Sequence, residues 1–233
     1  QPSGIFGDLL TEIAARENWQ LKAVQCDWSY CLQLLQAGQI DLLPDVAYND
    51  ERAQQMDFHA TPALFSWSQL YVSPGVPLRS LHDLAGKTVL VLQGSVQQQY
   101  LQQQLATAAI SAQLLQTRSM AEAFAMVASG QADAVAANHY YGRAHIDKYR
   151  LQQSDIIFQP VQLFYATAKH RNQDLLTVIE TYLARWQTNA SSPYYHVLQR
   201  WGSEQPSLQI PERLWWLLSM LCPIFLLILV IRL

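Results

Sequence analysis

Arg52 stands at the end of a short polar stretch, Asn49-Asp50-Glu51-Arg52, behind an apolar run of strand type. A planar guanidinium there can hold a carboxylate through two parallel hydrogen bonds; the alternative is a surface arginine paired with Glu51 or Asp57. Gly94-Ser95-Val96 leads into a helical pattern, where backbone N–H groups and the Ser95 hydroxyl suit an anion and Gly94 permits close approach. The same three residues also make an ordinary helix N-cap. Cys26 and Cys31 are close enough in sequence to bridge if a strand turns into a helix between them. No further Cys or His stands at ligand spacing beside them, so no metal is expected. There is no Ser-His-Asp order, no carboxylate pair at strand ends, no phosphate loop and no nucleophile elbow. We therefore expect no catalytic residue, no cofactor and no enzymatic activity in this chain.

The elements that position these residues must fit in 233 residues and 26.5 kDa, enough for one large domain or two small lobes. Fifteen Lys+Arg against eighteen Asp+Glu give a net charge of -3, and no basic run could neutralise a row of phosphates, which excludes nucleic acid as the expected partner. Charged residues are only 14% against 50% hydrophobic, and much of the apolar excess lies at the C-terminus. Residues 214–231 carry no charge over a length close to the roughly 20 residues that cross a bilayer as a helix. Trp215 and Trp216 sit at the entry of this expected transmembrane helix and Arg232 at its cytoplasmic exit, so residues 1–213 are expected outside the cytoplasm. The alternative is a buried C-terminal helix of a soluble core, against which hydrophobicity on all faces argues. Pro223 is tolerated within a span. With no signal peptide at Gln1-Pro2-Ser3-Gly4 and an end just past the span, the chain reads as a fragment truncated at both ends.

Hydrophobic periodicity predicts a helix over 5–18, a strand over 21–25, a helix over 29–37 ended by Gly38, a strand over 40–47 and a loop over 49–52. A strand over 69–72 precedes Pro74-Gly75-Val76-Pro77, a break after which a second unit begins. There, strands over 88–92, 114–116 and 134–137 alternate with helices over 96–108 and 120–129. A helical stretch to 149, strands over 156–158 and 161–167, and helices over 172–189 and 194–201 follow. This alternation argues for a parallel-type sheet in each lobe. Residues 203–213 form a polar, Pro-containing linker to the membrane segment.

Three passages resemble the type 2 periplasmic solute-binding fold of the bacterial extracellular solute-binding proteins, family 3. The run from Asp41 through Asp50-Glu51-Arg52 to Met56-Asp57-Phe58 is similar to the family's strand, loop and arginine. Ser80-Leu81-His82-Asp83-Leu84-Ala85-Gly86-Lys87, with Gly94-Ser95 and Tyr100 beyond, resembles the passage that opens its second lobe, and residues 126–137 (MVASGQADAVAA) resemble its returning helix and strand. The family's opening strand is absent before Gly4. Passages around Ser66-Trp67, Asn138-His139-Tyr140-Tyr141 and Tyr194-Tyr195 resemble solute-binding sensor regions of membrane histidine kinases and diguanylate cyclases.

The resemblance implies an α/β, two-lobed clamshell with a C-terminal transmembrane helix: lobe 1 from 1–72 and 162–202, lobe 2 from 73–161, two crossovers as hinge and a small solute between the lobes. It places Arg52 where the family holds a carboxylate and Trp28 where an aromatic ring flanks the ligand. It sets Ser66 and Trp67 on the approach to the first crossover, Gly94 and Ser95 at the second lobe's helix start, and Asn138 where amino-acid binders keep an acid. Asp45, where the family often has Gly, could supply that missing charge from the other lobe, and Tyr141 could reach the cleft. Each aromatic could equally be core. The expected whole is the periplasmic sensor domain of a single-pass inner-membrane receptor that binds a small polar, carboxylate-bearing solute, an amino acid among them, and signals by hinge closure, with a homodimer compatible. The alternatives are a membrane-tethered component of a transporter, or a hydrolase or lyase on the same fold.

Overall fold

The computed structural model describes residues 3–202. The chain divides into a unit of residues 1–201 and a unit of residues 202–233. Within the first, the helix α1 (Gly4–Glu17) forms because Ile5, Leu9 and Ile13 make one apolar stripe, and Asn18, in the left-handed region at φ 53°, ends it. Next come α2 (Trp28–Gln36), β1 (Leu43–Ala47), α3 (Asp50–Gln55), β2 (Met56–Phe58) and β3 (Leu64–Val72). A single 3₁₀ turn over Leu81–Leu84 leads to β4 (Thr88–Leu92), α4 (Val96–Thr107), β5 (Gln113–Thr117), α5 (Met120–Ala128) and β6 (Ala134–Asn138). The elements α6 (His139–Tyr149), β7 (Gln152–Ala168), α7 (Gln173–Gln187) and α8 (Pro193–Arg200) complete the order.

The strands form one mixed sheet in the order β1-β7-β3-β6-β4-β5, with β2 also on β7. The 17-residue β7 and the nine-residue β3 pair antiparallel and run through both halves of the unit. Around the first half, α1, α7 and α8 cover one face with Leu9, Ile13, Ile179, Leu183 and Trp186, while Leu35, Val46 and Met56 fill the other. In the second half, neighbours on β3 part company: Leu70 joins Leu84, Val91 and Leu101, and Tyr71 joins Phe124, Val127 and Val135 on the opposite face. Gly142 is required on α6, because a β-carbon there would collide with the ring of Tyr71.

Several expectations are corrected. Residues 21–25 form no strand; Leu21 and Val24 are 37% and 49% exposed, and β1, the nearest strand in sequence, pairs only with β7. The expected loop at 49–52 is largely α3, started by Asn49, whose side chain accepts from the Arg52 backbone N–H at 2.7 Å. The strands expected at 156–158 and 161–167 are one, since a register shift opposite Ser66–Ser68 absorbs the stretch containing Pro160. A parallel-type sheet is confined to β4 with β5 and β6; the first half's pairs, β1–β7 and β2–β7, are antiparallel. Cys26 and Cys31 do form the disulfide that their spacing allows, with Cα atoms 5.4 Å apart, although an irregular stretch and not a strand leads into α2 there. Among the described residues no helix is long and apolar enough to cross a membrane. The expected span over 214–231 and linker over 203–213 lie outside the described residues.

Candidate solute-binding site

Arg52 is the candidate residue with the most contacts across the chain. Placed in the first turns of α3, it is 9% exposed; Nη1 donates to the carbonyl of Ala47 at 2.9 Å and Nη2 to the carbonyl of Gly94 at 3.1 Å. Its guanidinium lies over the Trp28 ring, 5.6 Å from the centroid, and the Trp28 Nε1–H donates to the same Gly94 carbonyl at 3.3 Å. Burial pulls the Arg52 pKa down to about 10, with the charges of Glu51 and Asp45 opposing, so it stays cationic at neutral pH. The structure thus brings together Trp28, Arg52 and Gly94 from three separate stretches. The alternative pairing of Arg52 with Asp57 is not made: Asp57 binds Lys169 at 2.8 Å and accepts from the His170 N–H.

Asp45 owes its position to a bulge. Leu43 faces Ala166 and Val46 faces Phe164, so β1 carries one residue more than β7 across this interval, and Asp45 takes φ 60°. A non-glycine residue rarely adopts that conformation, and bulges of this kind re-aim side chains. Water reaches Asp45, yet protein surrounds it closely: desolvation pushes its carboxyl up to about 7, against the pull of Arg52. Among the described residues no hydrogen bond reaches the carboxylate.

The second cluster lies at the crossover strands. Ser66 is buried, and its Oγ meets His139 Nδ1 at 3.0 Å; the Trp67 backbone N–H approaches the same nitrogen at 3.4 Å. The rings of Trp67 and His139 stack with centroids 3.6 Å apart and 6° between planes. Burial, then the nearby Arg143 charge, lowers the His139 pKa to about 4, so its imidazole is neutral at pH 7. Tyr48, Phe65, Ser66, Trp67 and residues 160–162 bound a cavity of about 470 Å³. Tyr48 directly follows the residue whose carbonyl holds Arg52, which makes the cavity continuous in sequence with the arginine's anchor.

Other predicted residues are engaged locally. The Ser95 Oγ accepts from the Gln98 N–H at 3.2 Å, and the Gly94 N–H donates to Gln98 Oε1 at 2.9 Å, so this turn is capped by its own helix and presents a carbonyl to Arg52. Asn138 caps α6 by accepting from the Tyr141 N–H at 2.8 Å. The Tyr141 ring packs edge-on to Phe124 and stacks on His145, in the second half's core. Tyr48 and His139 join these residues in the structure, although neither is a candidate from the sequence alone. For Tyr48 the available signal was an aromatic residue at the C-terminal end of β1; for His139 it was a position directly after β6, flanked by aromatics. Among the described residues no group of three His, Cys, Asp or Glu side chains is placed to hold a metal ion.

The glutamine-binding protein of an ABC transporter from Bacillus subtilis is 28% identical over 182 residues, 76% of this chain. The chain spans 63% of that relative's length. An ancestral arginine-binding protein bound to arginine superposes with a TM-score of 0.76 at 25% identity, over 85% of this chain and 87% of that one. A histidine kinase sensor domain with similarity to periplasmic binding proteins shares the fold, with a TM-score of 0.75 at 21% identity over 86% of each chain. The pattern of one family matches residues 1–204, which include all the described residues. The chain belongs to the bacterial extracellular solute-binding proteins, family 3.

Proposed function

We propose that this chain is the extracytoplasmic solute-binding domain of a single-pass inner-membrane receptor, closing around a small solute that carries both a carboxylate and a cationic nitrogen. The observation that carries this reading is Arg52: a buried guanidinium with only part of its fork spent on the Ala47 and Gly94 carbonyls, and a carboxylate with no hydrogen bond, Asp45, within its field. The remaining N–H donors suit a ligand carboxylate, and Asp45 suits an ammonium. An amino-acid zwitterion has both groups, and the relatives named for glutamine and arginine support that class. Four hydrophobic clusters, two centred in each half and linked through β3 and β7, support lobes over 1–72 with 162–202 and over 73–161, hinged at the crossovers. Ser66, Trp67 and the cavity beside them would take the rest of the solute.

The apolar stretch 214–231 supports a receptor, tethered behind its last helix and relaying closure to a histidine kinase or diguanylate cyclase. The relative from an ABC transporter favours a second reading, a tethered component that delivers solute to a permease. A hydrolase or lyase on this fold, in which Asp45 beside Arg52 would be the general base, has less support, because the relatives named for glutamine and arginine are binding proteins. A thermal-shift screen tests the reading: amino acids should raise the melting temperature, their deaminated or decarboxylated analogues should raise it far less, and Arg52→Ala should abolish the shift. Equal shifts from all three classes would refute it.

A further inference from the structure

We propose that the Gly94 carbonyl is the catch of an intramolecular latch that holds the two halves together before any solute arrives. This inference rests on the hinge-closing reading above. Two donors from two elements of the first half, Trp28 Nε1 on α2 and Arg52 Nη2 on α3, converge at 3.3 Å and 3.1 Å on one carbonyl of the second half, between β4 and α4. Each partner is fixed in place independently. Gly94 takes φ 74°, a conformation open to glycine, and its N–H is tied to Gln98 Oε1, so its peptide is held from the helix side. Arg52 is tied to Ala47 and lies over the Trp28 ring, so both donors are aimed before contact.

Two further contacts flank the catch. The Gln99 Nε2 donates to Glu51 Oε2 at 3.3 Å on the outer side. Val96, the first residue of α4, is 5% exposed and packs in the first half's core with Ala47 and Tyr165. Gly94 itself lies against Ser29 and Leu32 of α2, with a β-carbon there 3.8 Å and 3.9 Å from them. Polar catch, apolar plug and outer contact all join the β4–α4 corner to α2 and α3. The closed arrangement is therefore the resting one, and a solute carboxylate engages an arginine that is already holding the lobes.

The test is a pulsed dipolar distance measurement on the whole 233-residue chain with Cys222→Ser, carrying spin labels at Thr177→Cys on α7 and Gln103→Cys on α4. Without added solute, one short distance should dominate. Trp28→Phe keeps a ring but removes the N–H donor, and should lower the ratio of short- to long-distance populations about fivefold, as loss of one hydrogen bond implies. Gln99→Ala, at an exposed position, should lower it less and provides a second reading should the first variant fold poorly. A long distance in the parent protein, or populations unchanged in both variants, would overturn the latch. If the populations stay unchanged while amino acids still raise the melting temperature, the latch fails and the solute-binding reading stands. If the populations shift as expected but no solute binds, the latch stands without it.

Discussion

Asp45 gives the account a quantitative pH signature. Its carboxyl is pushed up to about 7 by the protein around it, while a solute ammonium needs the ionised form. For a ligand that binds only the carboxylate, the apparent affinity falls tenfold for each pH unit below that value. Between pH 8 and pH 5 the loss is about 100-fold, or about tenfold if the water reaching the side chain screens one unit of the shift. The assay is isothermal titration of an amino acid between pH 5 and pH 8, repeated with Asp45→Asn. The parent should weaken steeply toward acid; the variant should bind less well at pH 8 and with little pH dependence. The stability sign is opposite: a carboxyl with a folded pKa above its unfolded value stabilises the fold in acid and loses that contribution as pH rises through about 7, so Asp45→Asn should melt higher than the parent at pH 8. A flat affinity profile in the parent, or one unaltered by Asp45→Asn, would refute the assignment of Asp45 as the cation-binding group.

Other outcomes follow from the same structure. His59 is buried, donates from Nδ1 to the Thr61 carbonyl and accepts the Tyr165 N–H at Nε2, and burial lowers its pKa to about 4. Stability should therefore be complete above pH 6.5 and fall by about 3 kcal/mol as pH drops to 4, a loss that chemical denaturation should find reduced in His59→Gln. Gly142→Ala sets a methyl against Tyr71 in the second core and should cost about 1–3 kcal/mol by overpacking, read as a lower urea midpoint; an unchanged midpoint would contradict the close approach. Reduction of Cys26–Cys31 opens a loop of sequence separation 5 and should cost about 2 kcal/mol, visible as a lower melting temperature in reductant.

Long periodic helices were legible: the Ile5, Leu9, Ile13 stripe of α1 needs no tertiary information. The strand expected at 21–25 shows the opposite case, since an apolar alternation becomes a strand only where a ladder partner exists, and among the described residues none pairs there. Helix α3 has six residues, too short for a periodic signal, although Asn49 followed by Asp50 and Glu51 is a readable helix start. In the site, Arg52 could be singled out by its chemistry, but its partnership with Gly94 joins positions 42 apart and depends on how the β4–α4 corner meets α3. Gly94 illustrates the limit further: its sequence context suggests N–H groups offered to an anion, whereas Gln98 consumes the N–H and the carbonyl does the binding. Tyr141 is expected to reach the cleft, but Asn138 caps α6 and side-chain direction in the first turn of that helix sends the Tyr141 ring to Phe124.

The most direct test of the central claim is a crystal structure of the domain with a bound amino acid. The ligand carboxylate should lie on the Arg52 guanidinium and the ammonium within hydrogen-bonding distance of Asp45. An amino acid held elsewhere, with Arg52 untouched and Asp45 bare, would contradict it.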